Sequence, residues 1–324
     1  MKNYDIVAVG ESLIDLLATV DEEAIRLTGN AGGGPANLLT AASRLGRKTS
    51  YISKIGDDIF GRFFKDYLGR QGVETRWSVD DSAPSTLAIV SLDERGDRDF
   101  SFNRNGASDI RLTEGDLNVD LLKDCRIMHF STVIMTEEPA RSANLFAVRT
   151  AMEAGALISF DPNYRAFLWP DRDEAKDVTE RSLALADLIK LSEEETFLCT
   201  GIDDPMEAGK LIFERYNPVF LAVTLGEKGS IGFAKGGIVS QNSYDLGAVD
   251  TTGAGDGFWG AALHRILTLT DEGVIEPKGK KGINAGFLRD ILAYGNAAGA
   301  IATTRKGGMP AMAKEEEIQS LLQE

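Results

Sequence analysis

The sequence predicts an α/β fold: a doubly wound, mostly parallel sheet with helices on both faces and a small β lid. Three observations point there. Short apolar, β-rich runs recur along the chain and alternate with amphipathic helical stretches, the pattern of successive strand–helix–strand units. One segment, 84–104, breaks that rhythm with two alternating strands, and a hairpin inserted into an α/β chain is expected off the main sheet as a flap. The length of 324 residues, with 43% hydrophobic and 26% charged side chains, suits one large α/β domain with a small appendage.

In chain order the expected strands are 4–9, 50–55, 126–130, 156–160, 188–191 and 219–224. Between them 36–45, 60–71, 139–153 and 208–216 read as helices. The C-terminal third reads as helical, with 256–269, 285–304 and a short acidic final helix. In the flap, the two strands of PSTLAIVSLDERGDRDFSFNR flank a charged turn at 93–97, and 13–27 is a further candidate for lid structure. Residues 276–282 (EPKGKKG) read as an exposed loop. With no internal repeat, low-complexity tract or linker, 1–324 is read as a single domain.

Composition narrows the function classes. A net charge of −15 argues against nucleic acid and anionic membrane as partners. No apolar run approaches the roughly 20 residues of a membrane helix. The start, 1–10, lacks a basic region, apolar segment and cleavage site, so a cytoplasmic protein is expected. Cys125 and Cys199 lie far apart in apolar contexts, which suits buried reduced thiols and excludes a disulfide scaffold or zinc site. His129 and His264 are isolated, so no histidine-based triad is supported, and no GxxxxGK[ST] motif is present.

The most informative stretch is Asp250-Thr-Thr-Gly-Ala-Gly-Asp256, followed by the apolar helix-like run 258–269. Gly253 and Gly255 flank Ala254 and let the backbone bend close to a bound group. Amides converging on a helix N-terminus form an anion site. A carboxylate at Asp256 would repel a phosphate, unless its task is to take a proton from a hydroxyl that then attacks the phosphate. That combination suggests phosphoryl transfer.

A second glycine cluster runs from Gly29 through Gly32, Gly33 and Gly34 to Asn37, at the start of a helix. It permits close approach to a ligand, and Asn37 offers the donor and acceptor that sugar hydroxyls need; on its own it reads equally as a loop and helix cap. Asp15 follows the first strand, where open α/β sheets bind ligands, though a lone Asp there also reads as a turn residue. Asp161, Asn163 and Arg165 follow the strand at 156–160, and Arg165 suits a phosphate or sugar oxygen. Lys190 and the acidic triplet ending at Glu195 follow another strand; the acidic groups suit water-mediated Mg²⁺ contact or simply a favoured helix start. Thr224, Gly226 and Gly229 follow a further strand and suit close approach of a nucleotide.

Taken in this order, the segments resemble the pfkB/ribokinase family of carbohydrate and nucleoside kinases, GGGPAN matching its N-terminal signature and DTTGAGDGFWGAAL its C-terminal one. The resemblance covers nearly the whole chain and implies a ribokinase-like α/β fold with a β lid that covers the sugar and forms a homodimer contact. It implies Asp256 as catalytic base, with the amides of Gly253, Ala254, Gly255 and Asp256 as the anion hole. It implies sugar contacts from Asp15, Gly33, Gly34 and Asn37, and nucleotide contacts from Lys190, Thr224, Gly226, Gly229 and Asn296. Glu195 matches the acidic end of the family's NxxE motif, toward Mg²⁺ through water, with Ser192 where the motif has Asn. Asp250 and Thr252 match ligand positions of the monovalent cation, such as K⁺, that some members bind. DFSFNR, DPNYRAFLW and KLSEEE resemble fructokinases and add Arg104 and Arg165 to the sugar contacts. The expected reaction is ATP-dependent phosphorylation of a primary ketose hydroxyl, D-fructose to fructose 6-phosphate. A 2-keto-3-deoxygluconate kinase, another sugar or nucleoside kinase, and a non-catalytic sugar-binding regulator are the alternatives; a dinucleotide-binding dehydrogenase is disfavoured because Gly10-Glu-Ser lacks the second glycine of its fingerprint.

Overall fold

Alternate residues of the first strand, β1 (Tyr4–Val9), face opposite cores: Ile6 and Ala8 join one apolar cluster, Val7 and Val9 the other. Successive side chains on a strand point to opposite faces, so a strand apolar at every position must be covered on both sides. The structure, a computed structural model, describes residues 2–20, 23–92 and 98–323.

The strands are β1, β2 (Leu13–Val20), β3 (Ile25–Gly32), β4 (Thr49–Gly56), β5 (Glu74–Asp80), β6 (Thr86–Leu92), β7 (Arg98–Asn103), β8 (Cys125–Phe130), β9 (Leu157–Phe160), β10 (Leu188–Ser192), β11 (Phe220–Thr224), β12 (Ser230–Ala234) and β13 (Gly237–Gln241). The helices are α1 (Gly34–Arg44), α2 (Ile59–Arg70), α3 (Val119–Lys123), α4 (Ala140–Glu153), α5 (Arg172–Leu183), α6 (Glu193–Thr200), α7 (Pro205–Tyr216), α8 (Ala254–Asp271), α9 (Ala285–Thr303), α10 (Gly308–Ala311) and α11 (Glu315–Leu322). Nine strands form one sheet in the order β13-β12-β11-β10-β9-β8-β1-β4-β5. Its pairs are parallel except β11–β12 and β12–β13.

This order contains a reversal. From β1 the chain winds outward through β4 and β5, then returns to place β8 on the other side of β1. The crevice at the C-terminal ends of β1 and β8 is therefore the topological switch point, where open α/β sheets bind ligands. A second sheet, β3-β2-β6-β7, stands apart from the first. Its strands come from both predicted lid segments; the expected turn at 93–97 lies outside the described residues.

Several elements differ from the sequence reading. The glycine cluster expected as a loop is half strand: β3 runs through Gly32, paired to Leu13 of β2. Helix α1 starts at Gly34 because Pro35 in its first turn is preset for helical φ. The C-terminal third is not wholly helical, since β12 and β13 precede its helices and form the antiparallel edge. β5 at the other edge was not expected; its half-buried side chains give no continuous apolar run.

Helices α1, α8 and α9 pack closely through small residues. A Cβ on Gly260 of α8 would lie 2.7 Å from the Leu38 carbonyl oxygen and 2.8 Å from Cβ of Ala41. A Cβ on Gly295 of α9 would lie 2.8 Å from the Phe258 ring. The close approach of α1 to α8 joins two glycine-rich motifs that are remote in sequence.

Candidate active site

At the N-terminus of α8, Gly253 has φ 77°, a left-handed conformation that favours glycine. The turn seats Asp256 in the first helical turn, where backbone amides lack intrahelical acceptors. Of the four amides expected to form an anion hole, that of Ala254 donates to the Thr251 carbonyl at 3.2 Å. The amides of Gly255 and Asp256 follow it in the first turn of α8, where N–H groups lack intrahelical acceptors.

Both oxygens of Asp256 are held. Asn37 Nδ2 donates to Oδ2 at 2.9 Å and Asn163 Nδ2 to Oδ1 at 3.2 Å. Burial pushes the carboxyl pKa up, while the two amides and the charges of Lys190 and Arg165 oppose that shift. Asn37 thus faces the carboxylate, and its Oδ1 is buried without a hydrogen-bond partner.

The neighbouring groups come from segments that follow the switch-point strand β1. Asp15, in β2, lies against Gly32: a Cβ there would sit 2.1 Å from Asp15 Oδ2. Burial pushes Asp15 up to about 6, opposed by Arg165 and reinforced by Asp256 and Asp250. Gly33 has φ 111°, and the amide of Gly34 donates to Glu11 Oε1 at 2.9 Å. A Cβ on Gly34 would meet Asn163 Nδ2 at 1.9 Å and Asp256 Oδ1 at 3.2 Å, so the absent side chain makes room for both.

Glu11 escaped the sequence reading. It follows β1, is fully buried, and accepts from Gly34 and from Ser131 Oγ at 3.2 Å, while Tyr51 donates to its carbonyl. Burial pushes its carboxyl up to about 7. The GES tripeptide after an apolar strand was the available signal.

On the far side of Asp256, Lys190 of β10 lies in a buried ion pair. Its Nζ lies 3.1 Å from Asp161 and 3.8 Å from Glu195. Burial opposes its charge, but Asp161, Glu195 and Asp256 outweigh that and raise its pKa. A Cβ on Gly255 would lie 3.5 Å from this ammonium, so Lys190 sits beside the anion turn. Glu195 closes a capping box, accepting from the Ser192 amide at 2.7 Å, and also accepts from the Tyr164 amide at 2.9 Å.

Other expected site residues are placed less freely. Arg104 is held within the fold. It is buried, donating to Asp109 at 2.9 Å and to the Val133 carbonyl at 2.7 Å, because a buried guanidinium requires such partners. Arg165 is exposed and donates to the carbonyls of Asn163 and Tyr164. Asn296 holds the carbonyls of Gln241 and Asn242, both at 3.1 Å, and accepts from Ser230. Its amide group is committed to the β13 end rather than offered to a base. Thr224 donates to the Leu191 carbonyl at 3.3 Å, and Gly226 and Gly229 take φ 60° and 101° in the turn beyond it.

Asp250 accepts from the amide and hydroxyl of Thr252 at 3.0 and 2.7 Å and from the Gly307 amide at 2.9 Å. Among the described residues, no group of three or more His, Cys, Asp or Glu side chains forms a metal cage, and no helix is long and apolar enough to cross a membrane.

Comparison with known proteins finds relatives over nearly the whole chain. Residues 3–315 match the pfkB family carbohydrate kinase description. The Arabidopsis thaliana protein named Probable fructokinase-4 is 40% identical over 322 residues, covering 98% of this chain and 96% of that protein. The structure of a fructokinase with bound ATP from Xylella fastidiosa superposes with a TM-score of 0.87 at 29% identity, covering 98% of each chain. That of a Vibrio cholerae fructokinase with fructose, ADP and calcium gives 0.84 at 28%, covering 98% of this chain and 99% of the other. The chain belongs to the pfkB family of carbohydrate kinases.

Proposed function

We propose that the protein transfers the γ-phosphoryl group of ATP to the 6-hydroxyl of D-fructose, giving fructose 6-phosphate and ADP. The observation that carries the chemistry is the position of Asp256, a clamped carboxylate in the first turn of α8 beside the Gly253–Gly255 turn and Lys190. The fructokinase relatives support fructose as the acceptor, and the ATP-bound neighbour supports the donor.

In this reading Asp15, Gly33, Gly34 and Asn37 hold the sugar, with Arg165 at the rim. Arg104 braces the end of β7 through Asp109 and the Val133 carbonyl. Asp256 accepts the proton of the attacking hydroxyl as its oxygen bonds to the γ-phosphorus and the β–γ bridging oxygen leaves with ADP. The amides of Gly253, Gly255 and Asp256, with Lys190, stabilise charge on the transferring oxygens. Thr224, Gly226, Gly229 and Asn296 shape the nucleotide side.

The four-stranded sheet serves as the lid that excludes water, a competing acceptor. Ring centroids of Phe102 in β7 and Phe167 beside Arg165 lie 5.0 Å apart, which supports contact between lid and body over the site. Leu17, Val20, Ile25 and Leu27 are exposed on the same sheet, which supports a homodimer contact there.

The donor set suits a divalent ion that arrives with the nucleotide rather than one caged by protein, and Mg²⁺ ordinarily keeps several waters. Glu195 is the carboxylate that would meet its waters. Bound with ATP, Mg²⁺ supplies neutralisation of phosphate charge. Asp250 and Thr252 are the donors that would face a monovalent cation such as K⁺.

An ADP-release assay over ketoses, aldoses, nucleosides and acid sugars tests the assignment. D-fructose should give the highest kcat/KM, with a 6-phosphate product by NMR. A higher value for 2-keto-3-deoxygluconate or ribose would reassign the sugar, and no sugar-dependent ADP release would point to a binding regulator.

A further inference from the structure

We infer that Asn163 is a positioning residue for the catalytic base, holding Asp256 ionised and fixed in orientation through its side-chain amide. The inference rests on the reading of Asp256 as that base. Three observations carry it.

Asn163 Nδ2 donates to Asp256 Oδ1 at 3.2 Å, while Asn37 occupies Oδ2. With one amide on each oxygen, the carboxylate plane cannot rotate without losing a hydrogen bond. Both bonds favour the charged form, which is the form that can accept a proton.

Asn163 also sits at φ 53°, in the left-handed region, as one of only two non-glycine residues to do so among those described. Asparagine enters this region more readily than most residues, and strained backbone persists where the surroundings over-determine it. Here they do. The Asn163 amide donates to Asp161 Oδ1 at 3.2 Å, and the amide and hydroxyl of Thr132 hold the Pro162 carbonyl at 3.0 and 2.8 Å. The same Asp161 is anchored by Lys190.

The third observation is the room left by Gly34. A Cβ there would collide with Asn163 Nδ2 at 1.9 Å, so the Asn163 amide reaches Asp256 only across a glycine. A loop after β9, a glycine at the start of α1 and a carboxylate at the start of α8 thus interlock.

The charged groups felt by Asp256 come from several elements: Lys190 from β10, Asp161 and Arg165 from the Asn163 loop, and Asp15 from β2. Lys190 and Arg165 favour the anion, whereas Asp15 and Asp161 oppose it. Asn163, like Asn37, favours the anion without adding charge.

The test is the single-turnover rate of phosphoryl transfer against pH, at saturating sugar and ATP. Saturation removes the contribution of Asp15 to sugar binding. Asn163→Gly deletes the amide while preserving the left-handed backbone. Its acid limb should move upward by about one pH unit, the scale of a hydrogen bond to a charged group, giving roughly tenfold loss at low pH that recovers toward high pH. Asn163→Asp, which also tolerates left-handed φ, places a second carboxylate beside Asp256 and should move the limb further. A pH-independent loss in both variants, or an unmoved limb in both, would overturn the inference. If Asn163→Gly does not fold by circular dichroism, the Asp variant decides alone. Asp256→Asn separates the two readings: near-normal turnover there removes the base itself, whereas a dead Asp256→Asn with an unmoved Asn163→Gly limb removes only the role of Asn163.

Discussion

Asn37 and Asp256 lie 219 positions apart in sequence, yet the side-chain amide of one donates to the carboxylate of the other at 2.9 Å. The contact exists because Gly260 lets α8 approach the α1 backbone. It joins the glycine cluster proposed to bind sugar to the carboxylate proposed to activate it.

Asp256→Asn should lower kcat by about 10²–10⁴, the usual contribution of a general base. Sugar and ATP dissociation constants from calorimetry should change little, since the variant stays nearly isosteric. Turnover close to wild type would remove Asp256 from the base role.

Asp15→Ala should raise the sugar KM by about 10–100-fold, the scale of lost hydrogen bonds to a charged group, and leave the ATP KM nearly unchanged. Gly32→Ala should act in the same direction through Asp15, because the new Cβ would lie 2.1 Å from Asp15 Oδ2. Steady-state kinetics with each substrate varied in turn checks both; equal effects on sugar and ATP would count against the sugar assignment.

Glu11 gives the fold a pH dependence. Burial raises its carboxyl from the ordinary 4.5 to about 7, so the folded state binds the proton more tightly than the unfolded chain. Its stabilising contribution is complete below pH 4.5 and is lost as pH rises through about 7. Glu11→Gln should therefore gain stability relative to wild type between pH 5 and pH 8, by up to about 3 kcal/mol. Urea unfolding at the two pH values reads this difference, and a gap independent of pH would contradict it.

Phe167→Ala should loosen the contact between lid and body. Aromatic pairs contribute about 0.5–1.5 kcal/mol beyond burial, so the ratio of ATP hydrolysed to sugar phosphorylated should rise roughly two- to tenfold. Parallel measurement of ADP and sugar phosphate checks this. An unchanged ratio would mean that the Phe102–Phe167 contact does not help to exclude water.

Much of the local geometry around Asp256 was legible because backbone conformation needs particular residues locally. Gly253 must turn left-handed before α8, and Gly32 and Gly34 must leave space beside carboxylates and amides; glycine spacing records such needs directly. The partners of buried polar groups were not legible. Arg104 read as a lid residue facing sugar, but the fold brings Asp109 and the Val133 carbonyl to it. Asn296 read as an adenine neighbour, but β13 ends against it and takes its amide. Glu11 drew no notice because its value depends on Ser131 and Gly34 arriving from elsewhere in the chain.

By itself, then, the sequence determined the alternating α/β architecture, the carboxylate at the head of α8 and the glycine turns around it, since these follow from local periodicity and backbone freedom. Only the tertiary structure decided which side chains are free to meet a ligand and which serve the fold. A buried polar group must find a partner, and which partner it finds depends on the order in which the strands are laid beside β1.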